Sequence, residues 1–187
     1  MLSHDFAAWK VPRLIKNPDL ISQLEEIVNN HLDLIKIYFL DAISQSKHWP
    51  SVTWQGWRDF CDRSGIIDKM YVKFSDADRV FIASDFDKKG SENNQKKSLI
   101  RYEFIEGLIR MAKAKYQENS LVETLPEAFE LLLSDMSQKY MPPQAWQEFR
   151  DFYLWTREVN DVFEVNLEGI RKLINTFKDP ATKTFTQ

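Results

Sequence analysis

The chain contains one heptapeptide nearly twice: Trp-Gln-Gly-Trp-Arg-Asp-Phe at residues 54–60 and Trp-Gln-Glu-Phe-Arg-Asp-Phe at residues 146–152. Five of the seven positions are identical, and a sixth is aromatic in both copies. The aromatic residues recur at every third position, which places them on one face of a helix. The repeat therefore predicts one helix design used twice, in a chain built from repeated helical units.

The composition favours a helical protein and argues against several classes of function. Only five of the 187 residues are glycine, which disfavours all-β folds and glycine-rich phosphate loops. A net charge of −3 argues against binding to nucleic acid. The single cysteine, Cys61, excludes an intrachain disulfide and a cysteine-built zinc site. No apolar run is long enough to span a membrane and no signal peptide is visible, so we expect a soluble, cytoplasmic protein.

Helical periodicity and capping signals predict an all-α fold. They indicate seven helices, which begin near residues 18, 54, 75, 102, 124, 143 and 156. The two longest, 18–44 and 156–177, are each predicted to be continuous. Short extended pieces are expected at residues 51–53 and 98–100. No H-E-x-x-H, G-x-S-x-G or Walker motif is present, so we predict no catalytic residues and no enzyme activity.

Residues 20–116 resemble the EF-hand, or calmodulin-like, superfamily in their order of helix, connector, short extended piece and helix. In an EF-hand loop the eighth residue is apolar and pairs with the partner loop, and the twelfth is usually Glu. Leu99 and Glu103 take these two places in one segment. In the other, Val52 takes the eighth place and Gly56 stands where the Glu would be. The resemblance therefore predicts that Val52 pairs with Leu99 in a very short β-sheet.

Both loops of this resemblance lack most of the ligands that calcium requires. Calcium takes six to eight oxygen ligands, and the loop has carboxylates early and Gly at the sixth position. In the first loop Lys47 takes the third position and Pro50 the sixth. In the second loop Lys96 takes the fifth position and Lys97 the sixth. The resemblance is therefore to degenerate members of the superfamily, with inactive calcium loops.

One alternative calcium site uses other residues of the second loop. Asp85 and Asp87 would be the early ligands and Glu103 the bidentate one, in a loop about seven residues longer than the standard twelve. The competing interpretation is that Asp85 and Asp87 lie in a solvated loop where a helix ends. Glu103 would then stabilise the positive end of the following helix.

Three segments are predicted along the chain: an N-terminal extension at residues 1–17, an EF-hand-like pair at 18–118, and a second helical unit at 119–187. The second unit is interpreted as an incomplete pair, because residues 167–171 resemble residues 32–36 and no further motif helix follows them. We therefore expect the sequence to be part of a longer protein or a domain cut at a repeat.

These patterns favour a non-catalytic protein–protein interaction or scaffold module. The alternatives are a calcium sensor that uses the 85–103 loop and an accessory domain of an enzyme. No cofactor is expected, apart from calcium at the alternative site. The expected partner is a protein, either an amphipathic helix or the rest of a longer chain. The resemblance to degenerate EF-hand proteins further implies a cytoskeletal or ciliary location.

The candidates for a partner groove are the aromatic residues of the two motif copies. Opened EF-hand pairs bind an amphipathic helix in an apolar cleft, which is the functional interpretation of these residues. Packing in the core of the protein is the competing interpretation. The six residues concerned are Trp54, Trp57, Phe60, Trp146, Phe149 and Phe152.

Overall fold

A computed structural model of the chain describes residues 2–44, 50–68, 70–85, 97–142, 150–154 and 156–177. The fold is predominantly α-helical, which confirms the predicted class. Within the described residues, the β-structure consists of one two-stranded sheet. The chain divides into two compact units, Met1–Pro142 and Pro143–Gln187.

The described residues form nine α-helices. Those of the first unit are α1 (Leu2–Ala8), α2 (Pro18–Asn30), α3 (Leu32–Ser44), α4 (Trp54–Arg63), α5 (Phe74–Asp85), α6 (Arg101–Ala112) and α7 (Leu125–Lys139). The second unit contains α8 (Arg157–Val165) and α9 (Leu167–Phe177). A 3-10 turn (Val11–Arg13), two π-helical segments (Lys113–Gln117 and Arg150–Leu154) and two strands, β1 (Val52–Thr53) and β2 (Ser98–Leu99), complete the described elements.

Three predicted helix starts are confirmed by their capping hydrogen bonds. Asn17 Oδ1 accepts a backbone N–H at 3.0 Å at the start of α2, and Thr53 Oγ1 accepts another at 3.2 Å at the start of α4. Thr124 and Glu127 form both hydrogen bonds of a capping box at the start of α7. The predicted start at Ser75 is wrong by one residue, since α5 begins at Phe74.

The two long helices that the sequence predicts as continuous are each interrupted by one residue. His31 separates α2 from α3 with φ −107° and ψ 17°, and Asn166 separates α8 from α9 with φ −100° and ψ 8°. Asparagine is a weak helix former, and it stands at or just before both interruptions. The interruptions immediately precede the similar segments 32–36 and 167–171, so the resemblance of these segments extends to the backbone before them.

The short sheet has the predicted register. Val52 of β1 is opposite Leu99 of β2, and Thr53 is opposite Ser98, in an antiparallel pair. Helix α4 follows β1 directly and α6 begins two residues after β2. The pairing therefore brings the starts of α4 and α6 together.

Trp57 of α4 is the centre of the core of the first unit. Its side chain is fully buried, and its indole N–H donates a hydrogen bond to the backbone carbonyl of Ala77 at 3.0 Å. Its ring meets the ring of Phe104 edge to face, with 5.7 Å between the ring centroids. The ring of Phe60 also packs against the ring of Phe104, at 5.3 Å between centroids. The core interpretation of the motif is therefore confirmed for Trp57 and Phe60.

Gly107 of α6 gives a first stability prediction. A Cβ atom at Gly107 would lie 2.9 Å from Cη2 of the Trp57 ring, which is held in place by its hydrogen bond and its aromatic neighbours. Overpacking costs about 1–3 kcal/mol and the gain in helix propensity is about 1 kcal/mol, so Gly107→Ala is expected to lower the free energy of unfolding by up to about 2 kcal/mol. Urea unfolding measures this difference.

Gly169 of α9 is the matched control for this prediction. A Cβ atom there meets nothing within 4 Å, so Gly169→Ala is expected to leave stability unchanged or to raise it slightly. Equal effects of Gly107→Ala and Gly169→Ala would contradict the close contact between α6 and the Trp57 ring.

A lysine in the π-helical segment is buried. The Lys115 ammonium donates hydrogen bonds to the backbone carbonyls of Gly65 at 2.8 Å and Ile66 at 3.0 Å, and it lies 3.2 Å from a carboxylate oxygen of Asp68. These contacts join the loop after α4 to the end of α6. Lysine side chains usually remain at the protein surface, but that of Lys115 is almost wholly buried.

The environment of Asp68, which includes the Lys115 ammonium, lowers the pKa of its carboxyl group. Partial burial pushes its pKa upward, but hydrogen bonds from the backbone N–H groups of Tyr71 and Val72, together with the Lys115 ammonium, hold the pKa below the ordinary 3.8. Because the folded-state pKa is lowered, the ionised carboxylate stabilises the fold above about pH 4, and this stabilisation is lost as the pH falls through the folded pKa.

This linkage gives a prediction about acid sensitivity. Asp68→Asn is expected to be less stable than the wild type at neutral pH and to lose less further stability on acidification to about pH 2.5. Urea unfolding at the two pH values measures both differences. Asp33→Asn, at an exposed carboxylate paired with Lys36, is the control and is expected to follow the wild type. If Asp68→Asn and the wild type lost the same free energy of unfolding on acidification, that result would be inconsistent with a lowered Asp68 pKa.

The length and hydropathy of the helices show whether any of them could cross a membrane. Across the described residues, every helix is too short or too polar to cross a bilayer.

Candidate functional site

Two of the three candidate metal ligands lie where α5 ends and α6 begins. Asp85 is the last residue of α5, and Glu103 lies in the first turn of α6 with its side chain fully buried. One carboxylate oxygen of Glu103 accepts the backbone N–H of Ile100 at 3.2 Å, which stabilises the start of α6. The third candidate, Asp87, lies outside the described residues. Among those that are described, no group of three or more His, Cys, Asp or Glu is placed to hold a metal.

The residue before β2 has a backbone conformation that favours glycine, although it is a lysine. Lys97 stands at the sixth position of the EF-hand resemblance, and its φ is 79°, in the left-handed region that favours Gly. Its backbone N–H donates a hydrogen bond to Oδ2 of Asp85 at 3.0 Å. This contact joins the end of α5 to the residue before β2.

An ammonium group lies between the ends of these two helices. Nζ of Lys10 donates a hydrogen bond to the backbone carbonyl of Ser84 at 2.9 Å and lies 3.9 Å from Oε1 of Glu103. The lysine side chain is itself largely buried. The Lys10 ammonium therefore lies beside the Glu103 carboxylate, which is the predicted bidentate ligand of the alternative calcium site.

Further polar contacts hold the N-terminal segment on α6. The backbone N–H of Lys10 donates to Oε2 of Glu106 at 2.7 Å, and the other oxygen of this fully buried carboxylate accepts from Arg110 at 2.9 Å. Asp5 forms two hydrogen bonds with the Arg101 guanidinium, at 2.7 and 3.0 Å. Each of these carboxylates is paired with a cation, as buried charges require.

Sequence reasoning missed this arrangement. Glu103 and Glu106 are three residues apart on an otherwise apolar helix face. Because a buried carboxylate needs a nearby cation, this pattern indicated that cationic side chains pack against the face. The cation beside Glu106 is Arg110, one helical turn away, but the cation beside Glu103 is Lys10, more than ninety residues away, so no local pattern identifies it. The flanking residues Trp9 and Val11 are buried in the core, which explains how the segment is held.

The groove candidates of the motif lie in different environments. Trp57 and Phe60 are buried in the core, whereas Trp54 is 42% exposed. The indole N–H of Trp54 donates to Asp78 at 2.8 Å, and the Arg58 guanidinium stacks on the same ring at 4.8 Å. The exposed part of the first copy is therefore an ordered aromatic–arginine pair beside α5, a combination enriched at protein interfaces.

The second copy of the motif is described only in part. Trp146 and Phe149 lie outside the described residues. Phe152 lies in the π-helical segment Arg150–Leu154 and is exposed. Whether Trp54, Trp146, Phe149 and Phe152 line a partner groove therefore stays a prediction.

An apolar face runs along α8 and α9. No residue of either helix is buried, although large hydrophobic side chains recur on one side of both. Leu173 is 60% exposed and Phe177 is 64% exposed. The exposed hydrophobic residues of this face are Val162, Phe163, Val165, Leu167, Leu173, Ile174 and Phe177. We call this set the C-terminal apolar face.

Cys61 lies in the core and is a poor nucleophile. Its burial, with the nearby carboxylates of Asp62 and Asp78, raises the pKa of the thiol well above its ordinary value. The nucleophilic thiolate form is therefore disfavoured. Cys61 therefore packs in the core as a small hydrophobic side chain.

Comparison of the chain with protein-family models, with curated proteins and with solved structures gives no match.

Proposed function

We propose that the chain is a non-catalytic protein-interaction module that binds a protein partner through the C-terminal apolar face. The observation that carries the proposal is the exposure of large hydrophobic side chains along α8 and α9. A helix with one apolar side gains stability by burying that side against another element. An extended exposed apolar surface is typical of a site where another protein docks.

The comparison of α9 with α3 supports the proposal. Counting from the similar segments that open the two helices, Tyr38 and Ala42 of α3 correspond to Leu173 and Phe177 of α9. The two α3 residues are fully buried, and Tyr38 packs against Phe60 of α4 at 5.8 Å between ring centroids. The α9 residues present the same pattern while remaining exposed. The face is therefore suited to a helix that carries apolar side chains as α4 does.

Two substitutions in α9 test the proposal. Leu173→Asp places a charge in the C-terminal apolar face, whereas Asn175→Asp adds the same charge to the opposite side of the helix. The full-length protein, immobilised and titrated with cell extract, is expected to capture a partner saturably. Leu173→Asp is expected to abolish that capture and Asn175→Asp to retain it, as quantified by mass spectrometry. Equal capture by both variants, or no saturable capture by the wild type, would contradict the proposal.

A calcium sensor is the second candidate function. The hydrogen bond between Asp85 and the backbone of Lys97, whose φ is positive, supports it because a calcium loop needs a sharp turn there. Calcium titration followed by tryptophan fluorescence tests it. A saturable change at micromolar calcium, absent with magnesium and lost in Glu103→Gln, would favour the sensor. No saturable change would exclude it.

A further inference from the structure

We propose that Lys10 is a built-in cation: its ammonium group fills the oxygen-lined position between α5 and α6 and keeps a divalent metal from binding there. The proposal concerns a different part of the chain from the C-terminal apolar face. It can therefore fail while the proposed interaction function stands, and the reverse also holds.

The contacts of the Lys10 ammonium are those of a cation in an oxygen site. It donates a hydrogen bond to the Ser84 carbonyl at 2.9 Å and lies 3.9 Å from a carboxylate oxygen of Glu103. Carbonyl and carboxylate oxygens are also the ligands that hard divalent cations prefer. An ammonium and a divalent metal would therefore compete for the same atoms.

The charges around the position require a cation. Glu103 is fully buried, and an ionised carboxylate without a nearby cation is strongly destabilised in the interior. Asp85 follows Ser84 in the chain, and its Oδ1 atom is buried without a hydrogen-bond partner among the described residues. Removal of the ammonium would leave the Ser84 carbonyl and the Glu103 carboxylate without this cation, and a hard metal ion would then be able to take its place.

The position also fastens the N-terminal segment. Lys10 lies between Trp9 and Val11, which are buried, and its own backbone N–H donates to Glu106 at 2.7 Å. The buried neighbours on both sides of Lys10 therefore fix its backbone, and this positions its side chain at the site. A tethered cation of this kind loses less entropy on binding than a free ion, because folding has already positioned it.

Terbium and calcium binding to full-length variants tests the proposal. Lys10→Gln removes the charge but keeps a long polar side chain, and Lys16→Gln is the control at an exposed lysine of the same segment. Terbium luminescence sensitised by tryptophan is expected to show at least about ten-fold tighter binding to Lys10→Gln than to the wild type or Lys16→Gln. Adding Glu103→Gln to Lys10→Gln is expected to remove that gain, and calcium is expected to compete with terbium. Equal affinity in the wild type and Lys10→Gln, or tight binding by the wild type, would overturn the proposal.

A measurement on the wild type keeps the proposal testable if Lys10→Gln does not fold. Acylation of lysine side chains under native conditions, followed by mass spectrometry, compares Lys10 with the 41% exposed Lys36. An ammonium held by Ser84 and Glu103 is expected to react at least about ten-fold more slowly than the exposed one. Equal reaction rates at the two lysines would overturn the proposal.

Discussion

Replacing Trp57 with alanine is expected to lower the free energy of unfolding by about 3–5 kcal/mol, the range for a large aromatic side chain removed from a packed core. Trp57 is fully buried, and its indole N–H bonds the backbone of α5 while its ring lies on Phe104 and Gly107 of α6. The substitution therefore opens a cavity where three helices meet and leaves the Ala77 carbonyl without this donor. Urea unfolding followed by far-ultraviolet circular dichroism measures the loss.

Trp54 is the matched control, because it is the same residue type in the same helix and the same motif. Its side chain is 42% exposed, and its partners Arg58 and Asp78 are also bonded to each other. Trp54→Ala is expected to lower stability by less than about 1 kcal/mol. Similar losses for Trp54→Ala and Trp57→Ala would show that Trp57 is not the centre of this core.

Replacing Lys115 with methionine is expected to lower the free energy of unfolding by about 3 kcal/mol, since it leaves buried polar groups unpaired. The ammonium donates hydrogen bonds to the carbonyls of Gly65 and Ile66 and forms an ion pair with the carboxylate of Asp68. Methionine retains most of the side-chain volume, so the loss reports on the polar contacts rather than on a cavity. Equilibrium unfolding in urea is again the measurement.

Lys113 provides the control for this prediction, two residues earlier in the same π-helical segment. It pairs with Glu118 at 3.1 Å, and much of both side chains is exposed to solvent. Lys113→Met is expected to change stability by no more than about 0.5 kcal/mol, as is usual for an exposed ion pair. A loss for Lys115→Met as small as that for Lys113→Met would contradict the structural role of the buried ammonium.

The parts of the fold that local patterns determine were predictable from the sequence. Thr53 and Thr124 start helices because a hydroxyl at the N-cap accepts an otherwise unpaired backbone N–H. The register of Val52 with Leu99 was predicted from the resemblance of the two segments to EF-hand loops, in which both residues take the eighth position. The burial of Trp57 and Phe60 followed from aromatic residues that recur on one side of a helix.

The parts that depend on distant residues were not predictable. Lys10 reaches Glu103 and Lys115 reaches Gly65 across long stretches of chain, so a sequence pattern shows only a charge without its partner. Burial of the two lysines contradicts the usual preference of this residue for the surface. The interruption at His31 depends on a balance of weak propensities, which leaves helix boundaries poorly determined by sequence.

Hydrogen–deuterium exchange on the full-length protein, with and without its captured partner, tests most directly whether the C-terminal apolar face is the binding site. Binding is expected to slow amide exchange at residues 157–177, in α8 and α9, and to leave α4 of the first unit unchanged. Protection confined to the first unit, with residues 157–177 exchanging as fast as in the free protein, would contradict the proposed function.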